Sequence, residues 1–448
     1  MNLRPERRTG GADSGDRGSS EAPVLRLLLP PARGDGLARD TAWNAAVNAA
    51  AAGLSFFLLL LASRLAGPYW CGVVALALAM SQQLFTLGNF TMGNYQASDV
   101  AESRSFGDYV AAKTVTVGAM LLAGAAWLSF GDFSRDKALC FLALLAYQAS
   151  DAFSNAFFAR YQQKGRLDAA CRIRFSKIVA FAAVYATVLA ASRSVVAALA
   201  AASVAHVALF FATDVPLLGL FGPLRLRLPG RASFSILLAC LPLAFNSFLL
   251  MYVNNAPRFA VDAILDEKAL AEFSALFMVS FVVAVCADFL MNPQVVRLAE
   301  AVRAGDRSAA VRTLLRPLAA IALLGAAGLA VAATFGAPLL AWIFGLDLSL
   351  HRDTLCVALV GGVLVALYQL GQTVLVVLRK QAWGLPGMAL AAAAARLAAR
   401  PFVARFGLRG AALSYVLAVL ILAAASDTFA TLFLRRVAWR SPKPGNKP

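Results

Sequence analysis

The chain has 448 residues, 60% of them apolar, and carries 41 Lys and Arg against 24 Asp and Glu, a formal charge of +17. Its mean hydropathy is +0.70, and the apolar fraction is well above the ~45–50% of a soluble domain, which excludes that class. The charge alone would admit nucleic acid as a partner, but the basic residues sit in short gaps between apolar blocks, where they read as topology signals and contacts for anionic lipid heads.

Residues 1–38 are polar, rich in Gly and Arg, and interrupted by Pro23, Pro30 and Pro31. Such a segment cannot bury enough apolar area to order itself, and it has no secretory-signal pattern, so a disordered cytoplasmic tail is expected. Apolar blocks follow at 41–65, 69–95, 108–130, 138–160, 171–191, 195–221, 233–262, 270–296, 313–335, 354–378, 382–399 and 409–434. Each approaches the ~20 residues an α-helix needs to cross a bilayer core. A barrel would show ten-residue alternation instead, and the blocks do not. The expected fold is all-α and polytopic: about twelve transmembrane helices in two six-helix bundles, 39–222 and 223–436, with a short cytoplasmic tail at 437–448.

Alternate gaps are basic: Arg160 to Arg174, Arg225 to Arg231, Arg297 to Arg312, then Arg379 and Lys380. This places both termini in the cytoplasm, with Arg400, Arg405 and Arg409 as the exception. The chain also repeats itself. Glu102, Gly107 and Asp108 recur as Glu300, Gly305 and Asp306, an offset of 198 residues. Six helices per half is an even number, so the halves share one orientation and a pseudo-two-fold axis along the membrane normal.

Motifs for soluble chemistry are missing. No phosphate-binding GxxxxGK[ST] loop and no HExxH are present. The six cysteines stand singly, without CxxC spacing, so no metal and no cofactor is expected. His351 reads as a solvated turn, and His206 as a packed core histidine. No catalytic residue is assigned, and an enzyme is not expected.

Polar residues at membrane depth remain, and they are functional candidates by default. Asp151 and Asp288 each lie nine residues from a basic edge, near mid-bilayer at ~1.5 Å per residue. Arg258 follows Pro257, which frees a backbone carbonyl one turn back. Lys113 and Arg396 are further cations, and Lys113 and Lys177 are long enough to snorkel. Asn89, Asn255, Gln82 and other amides suggest a wet cavity.

Three stretches carry a resemblance. The first runs from Ser150-Asp151-Ala152-Phe153 through Gln163-Lys164-Gly165-Arg166-Leu167-Asp168 to Ser176-Lys177. The second is Asn255-Ala256-Pro257-Arg258-Phe259 with Ala271-Glu272-Phe273-Ser274-Ala275-Leu276, and the third is Gly407-Leu408-Arg409-Gly410-Ala411-Ala412. Over about 40–435 the chain resembles the polysaccharide flippases of the multidrug/oligosaccharidyl-lipid/polysaccharide exporter superfamily. Glu272 departs from the glycine usual there, which Gly72 keeps in the first half.

The resemblance implies a cell-membrane flippase that moves a polyprenyl-pyrophosphate-linked glycan outward by alternating access. Arg258, Lys113, Arg396, Asn89 and Asn255 would then face the substrate. Asp151 or Asp288 would bind a coupling proton or sodium ion. Two other readings stand beside it: a cation-coupled drug antiporter of the same superfamily, with an acidic cavity, and an intramembrane glycosyl or acyl transferase.

Overall fold

The computed structural model describes residues 36–99, 101–218 and 227–437, without the side chains of 36–38, 218, 288, 289, 292 and 293. The expected tails up to residue 35 and beyond residue 437 lie outside the described residues. Everything regular among the described residues is helical.

Local chemistry sets the helix ends. α1 (Gly36–Ala66) stops at Gly67, whose φ of 99° suits only glycine. Pro68 opens α2 (Pro68–Asn89) at a position where its missing N–H is harmless. α2 ends because Phe90 and Thr91 both adopt left-handed φ, 50° and 49°, and the span resumes as α3 (Met92–Ser98). α4 (Phe106–Phe130) opens with a reciprocal cap between Ser105 and Asp108. Ser134 caps α5 (Arg135–Gln163), and α6 (Leu167–Ser192) follows after Gly165. α7 (Val195–Leu209), capped by Ser194, continues through a π-helical turn at Phe210–Asp214 to Leu218.

The second half follows the same plan. α8 (Arg231–Ile264) stays continuous through Pro242 and Pro257. α9 (Glu267–Ala304) is capped by Asp266. α10 (Arg307–Val331), capped by Asp306, passes through a π-helical turn to Phe344. α11 is Arg352–Val377 and α12 is Gly384–Arg435. At 52 residues α12 would be about 78 Å long, more than twice the ~30 Å of apolar core, so it makes two passes. The break is Gly407, with φ 57° and ψ −136°. The two arms approach so closely there that a Cβ on Gly410 would lie 1.9 Å from the Phe402 carbonyl oxygen.

Ten helical segments among the described residues are long and apolar enough to span a membrane. α5 is a further pass, diluted by Asp136, Lys137, Asp151 and Arg160, and the break in α12 adds the twelfth. The expected helix count therefore holds, with the block at 69–95 divided between α2 and α3. The repeat is visible in packing. α2 packs on α4 and α5 as α9 packs on α10 and α11, and α1 packs on α6 as α8 packs on α12. Its register differs by about a turn from the 198-residue match: the cap equivalent to Ser105 is Asp306, 201 residues on.

Twelve passes return the chain to one face, the near face, where α1 begins and α12 ends. At the opposite, far face the halves are joined. Lys137 of α5 pairs with Asp262 of α8 at 2.7 Å and Glu267 of α9 at 3.2 Å. Across the seam, Ser63 Oγ donates to the Phe344 carbonyl at 2.6 Å, and Arg64 Nε to that of Ile343 at 2.7 Å. A Cβ on Gly72 would lie 2.0 Å from the Glu267 carbonyl oxygen, so α2 and α9 touch backbone to backbone.

Candidate functional site

The halves meet around Arg258. It sits six residues before the far end of α8, and its guanidinium lies 4.8 Å from the centre of the Phe277 ring of α9. Its Nη1 donates to Asn255 Oδ1 at 3.1 Å, while Asn255 Nδ2 donates to the Ala79 carbonyl of α2 at 3.2 Å. One side chain thus positions Arg258 and ties it to the other half. The space beside Arg258 is about 220 Å³, open to one side, and is lined by Ser55 and Leu59 of α1, Ala75 and Gln82 of α2, and Met278 of α9. Gln82 Nε2 donates to Ser55 Oγ at 3.1 Å. Among the described residues no carboxylate lies within ion-pair distance of Arg258.

Lys113 and Asn89 come together, for a reason the sequence does not display. The left-handed pair Phe90–Thr91 interrupts the second span and leaves carbonyls of α2 without helical partners. Lys113 Nζ donates to the Asn89 carbonyl at 2.7 Å and to that of Gly88 at 3.4 Å, and Thr116 adds a bond to Gly88 at 2.9 Å. Lys113 is 1% exposed, so it does not snorkel. Among the described residues Asn89 Oδ1 is buried without a partner. Arg396 is exposed on the first arm of α12, apart from Lys113 and near Tyr252. Asp288 lies on α9, and its side chain is outside the described residues.

Asp151 belongs to a separate cluster inside the first half. Its Oδ2 lies 3.2 Å from Arg174 Nη2 of α6, so its cationic partner is Arg174. One turn along α6, Lys177 pairs with Asp214 of α7 at 2.7 Å and donates to Ser154 of α5 at 2.7 Å. Lys177 and Asp214 are 1% and 2% exposed, and the expectation that Lys177 reaches the surface is corrected. Desolvation is tolerable here because each charge faces an opposite one with further hydrogen bonds. Thr213 adds a bond to Asp214 at 3.0 Å, and Tyr161 donates to the Asp214 carbonyl at 3.0 Å. His206 is buried as a core histidine, its Nδ1 3.1 Å from Ser150 Oγ. About 240 Å³ of space opens among Asp151, Asn155, Arg174, Lys177 and Asp214. His351, read as a solvated turn, instead lies 3.3 Å from Glu272, the residue that departs from the family glycine.

No protein-family model matches the chain, and no curated protein matches it in sequence. Solved structures match it in shape. A MOP-superfamily transporter from Pyrococcus furiosus, whose binding pocket has reverse polarity, superposes with a TM-score of 0.60 at 15% identity, over 92% of this chain and 98% of that one. An inward-facing multidrug resistance transporter of the MATE family, in the same superfamily, gives 0.57 at 14% identity over 92% and 98%. A MATE transporter from Vibrio cholerae gives 0.55 at 12% identity over 89% and 98%. At such identities the likeness is one of fold: the chain is a multi-pass membrane protein with the fold of MOP-superfamily transporters.

Proposed function

We propose that the chain is an alternating-access transporter, not an enzyme, that moves a polyprenyl-pyrophosphate-linked oligosaccharide across the cell membrane to the outer leaflet. Arg258 carries this reading. An unpaired guanidinium at the junction of two membrane bundles is costly and needs a visiting anion. Its planar fork matches the oxygens of a pyrophosphate. Gln82 and Asn89 offer amides to the sugars and Asn255 holds the Arg258 guanidinium in place, while the lipid tail stays in the surrounding membrane. Lys113 and Arg396 are the further cations of this reading.

Coupling is assigned to Asp151, with Asp288 as the other candidate. A proton taken by Asp151 would break its pair with Arg174 and loosen α5 from α6. The far face is the outer one in this reading, so the joined far ends describe a state closed to the outside.

The test is glycan export by Arg258 variants at matched membrane abundance. Arg258→Ala is expected to abolish export, and Arg258→Lys to restore it partly. Full export by the alanine variant would remove Arg258 as an essential ligand.

A second reading is a cation-coupled drug antiporter, favoured by the multidrug and MATE descriptions of the matching structures. Under it, Arg258→Ala leaves organic-cation efflux intact or raises it, because a cation is removed from the path. Drug efflux from liposomes that survives Arg258→Ala would replace the first reading with the second.

A further inference from the structure

The two halves treat one matched pair of residues differently. The last span of the first half begins at Val195, and that of the second at Leu408, 213 residues later. The same offset carries Thr213-Asp214 onto Ser426-Asp427. Both pairs set a hydroxyl beside a carboxylate, nineteen residues into the span. In the first half this pair is served by the Lys177 ammonium, 2.7 Å from Asp214. The offset carries Lys177 onto Leu390, an apolar residue that is 60% exposed. Among the described residues no Lys, Arg or His lies within ion-pair distance of Asp427.

The surroundings show what Asp427 faces instead. It lies eight residues before Arg435, about 12 Å inside the near end of its helix. A Cβ built on Gly371 of α11 would sit 2.4 Å from Asp427 Oδ1 and 2.6 Å from Ser426 Oγ. The two oxygens therefore converge on one point, and the glycine is what admits them. Ser426 is 2% exposed, and among the described residues its Oγ has no hydrogen-bond partner. A half-buried carboxylate and a buried hydroxyl, both unserved, are a costly arrangement in a membrane interior. One carboxylate with neutral oxygen is a hard donor set of single negative charge, which suits a monovalent ion better than a divalent one.

We propose that Ser426 and Asp427, held against Gly371, bind a monovalent cation, a sodium ion or a proton. That cation does in the second half what the Lys177 ammonium does in the first. The first half carries its counter-charge covalently, and the second takes it from solution. Occupancy of the site would then set how closely α11 and the second arm of α12 pack, giving the second half a cation-dependent contact of its own. This goes beyond the transport reading and does not depend on which substrate is carried.

The test uses the full-length protein in nanodiscs with no glycan or drug present, so its failure is separable from failure of the Arg258 reading. One arm measures binding of radioactive sodium. The other follows the carbonyl band of a protonated carboxyl group by infrared difference spectroscopy between acid and alkaline pH. The wild type is expected to give one of these signals, and Asp427→Asn and Gly371→Ala to weaken it at least about tenfold. Ser426→Ala separates the two ions, weakening sodium binding through loss of a ligand while leaving the proton signal in place. Thermal unfolding of each variant confirms that the fold is kept, and Ser426→Ala preserves packing where Gly371→Ala crowds it. Neither signal in the wild type, or a signal unchanged by Asp427→Asn, would overturn the proposal.

Discussion

Lys177 shows what a single buried charge demands. Its ammonium is held by Asp214 and Ser154, and removing one partner strands the other in a low-dielectric interior. Asp214→Asn is expected to cost about 3–5 kcal/mol, read as lost thermal stability and abundance. A double Lys177→Met, Asp214→Leu variant should recover much of that loss, because no charge is left unpaired. Asp151 tests function where Asp214 tests structure. Its neighbour Arg174 has a side chain 27% exposed, unlike the fully buried Lys177, so Asp151→Asn should fold yet lose gradient-driven transport in liposomes at matched protein level. An unchanged gradient response would remove Asp151 from the coupling mechanism. Depth in an apolar block singles out Asp151 and Arg258 from sequence alone. Asp214 and Asp427, each seven residues inside the end of its apolar block, meet the same criterion but lie outside the three stretches that carry the resemblance. Partners are not legible at all: Arg174 meets Asp151, and Lys177 meets Asp214, across different helices.

Helix ends carry the next level. The break at Phe90–Thr91 sits inside a continuous apolar block, so hydropathy predicts one span where there are two pieces. Lys113 is the residue that makes the break tolerable, by serving the Asn89 and Gly88 carbonyls. Lys113→Met should leave the Asn89 carbonyl unserved at about 1–3 kcal/mol, since Thr116 still donates to that of Gly88, measured as a lower unfolding temperature. Rescue by Arg, which also donates to carbonyls, would identify the bond rather than the bulk.

The connection between α3 and α4 gives a pH test outside the membrane-spanning segments. Backbone N–H groups of Ser103 and Arg104 donate to Asp99 at 2.9 and 3.2 Å, and hydrogen bonding, first from the Ser103 backbone, holds that carboxyl below its ordinary value. Lys164, then Arg160, does the same for Glu102. Both carboxyls are depressed in the folded state. Their contribution is therefore present above the unfolded value of about 4 and is lost as pH falls through the folded value. Amide hydrogen exchange at Ser103 and Arg104 should rise through that acid window and stay protected above it.

Over the whole molecule, alternating access requires the far-face contacts to open. Lys137 spans the junction by touching both Asp262 and Glu267. Lys137→Ala should release one side of it, and a cysteine placed at Ser55, in the space beside Arg258, should then react faster with a maleimide added from the far side. An unchanged rate would show that Ser63–Phe344 and the Gly72–Glu267 contact hold the far ends by themselves. Orientation is tested by fusions: reporters at Gly165 and Gly305 are expected in the cytoplasm, and those at Ser134 and Asp266 outside. An outside signal at Gly165 would invert the proposed direction of transport.

The sequence by itself determined the membrane class, the number of passes and the two-fold plan. Those follow from local quantities: the length of apolar runs, the turn residues between them, and an even number of passes in each half; the 198-residue match points to the repeat but lies about a turn out of its register. Even the turn within 382–434 is written locally, at Gly407. What only the tertiary structure decided is which charges neutralise one another and which remain free. Among the described residues Arg258 stands at the junction between Asn255 and Phe277 with no counter-charge, while Asp151 and Lys177 each find one on another helix. Asp427 keeps the hydroxyl and carboxylate of its counterpart but lacks the lysine. Pairings of that kind depend on helix rotation and on contacts as intimate as Gly371 against Asp427. Apolar periodicity cannot encode them, because nearly every face of these helices is apolar.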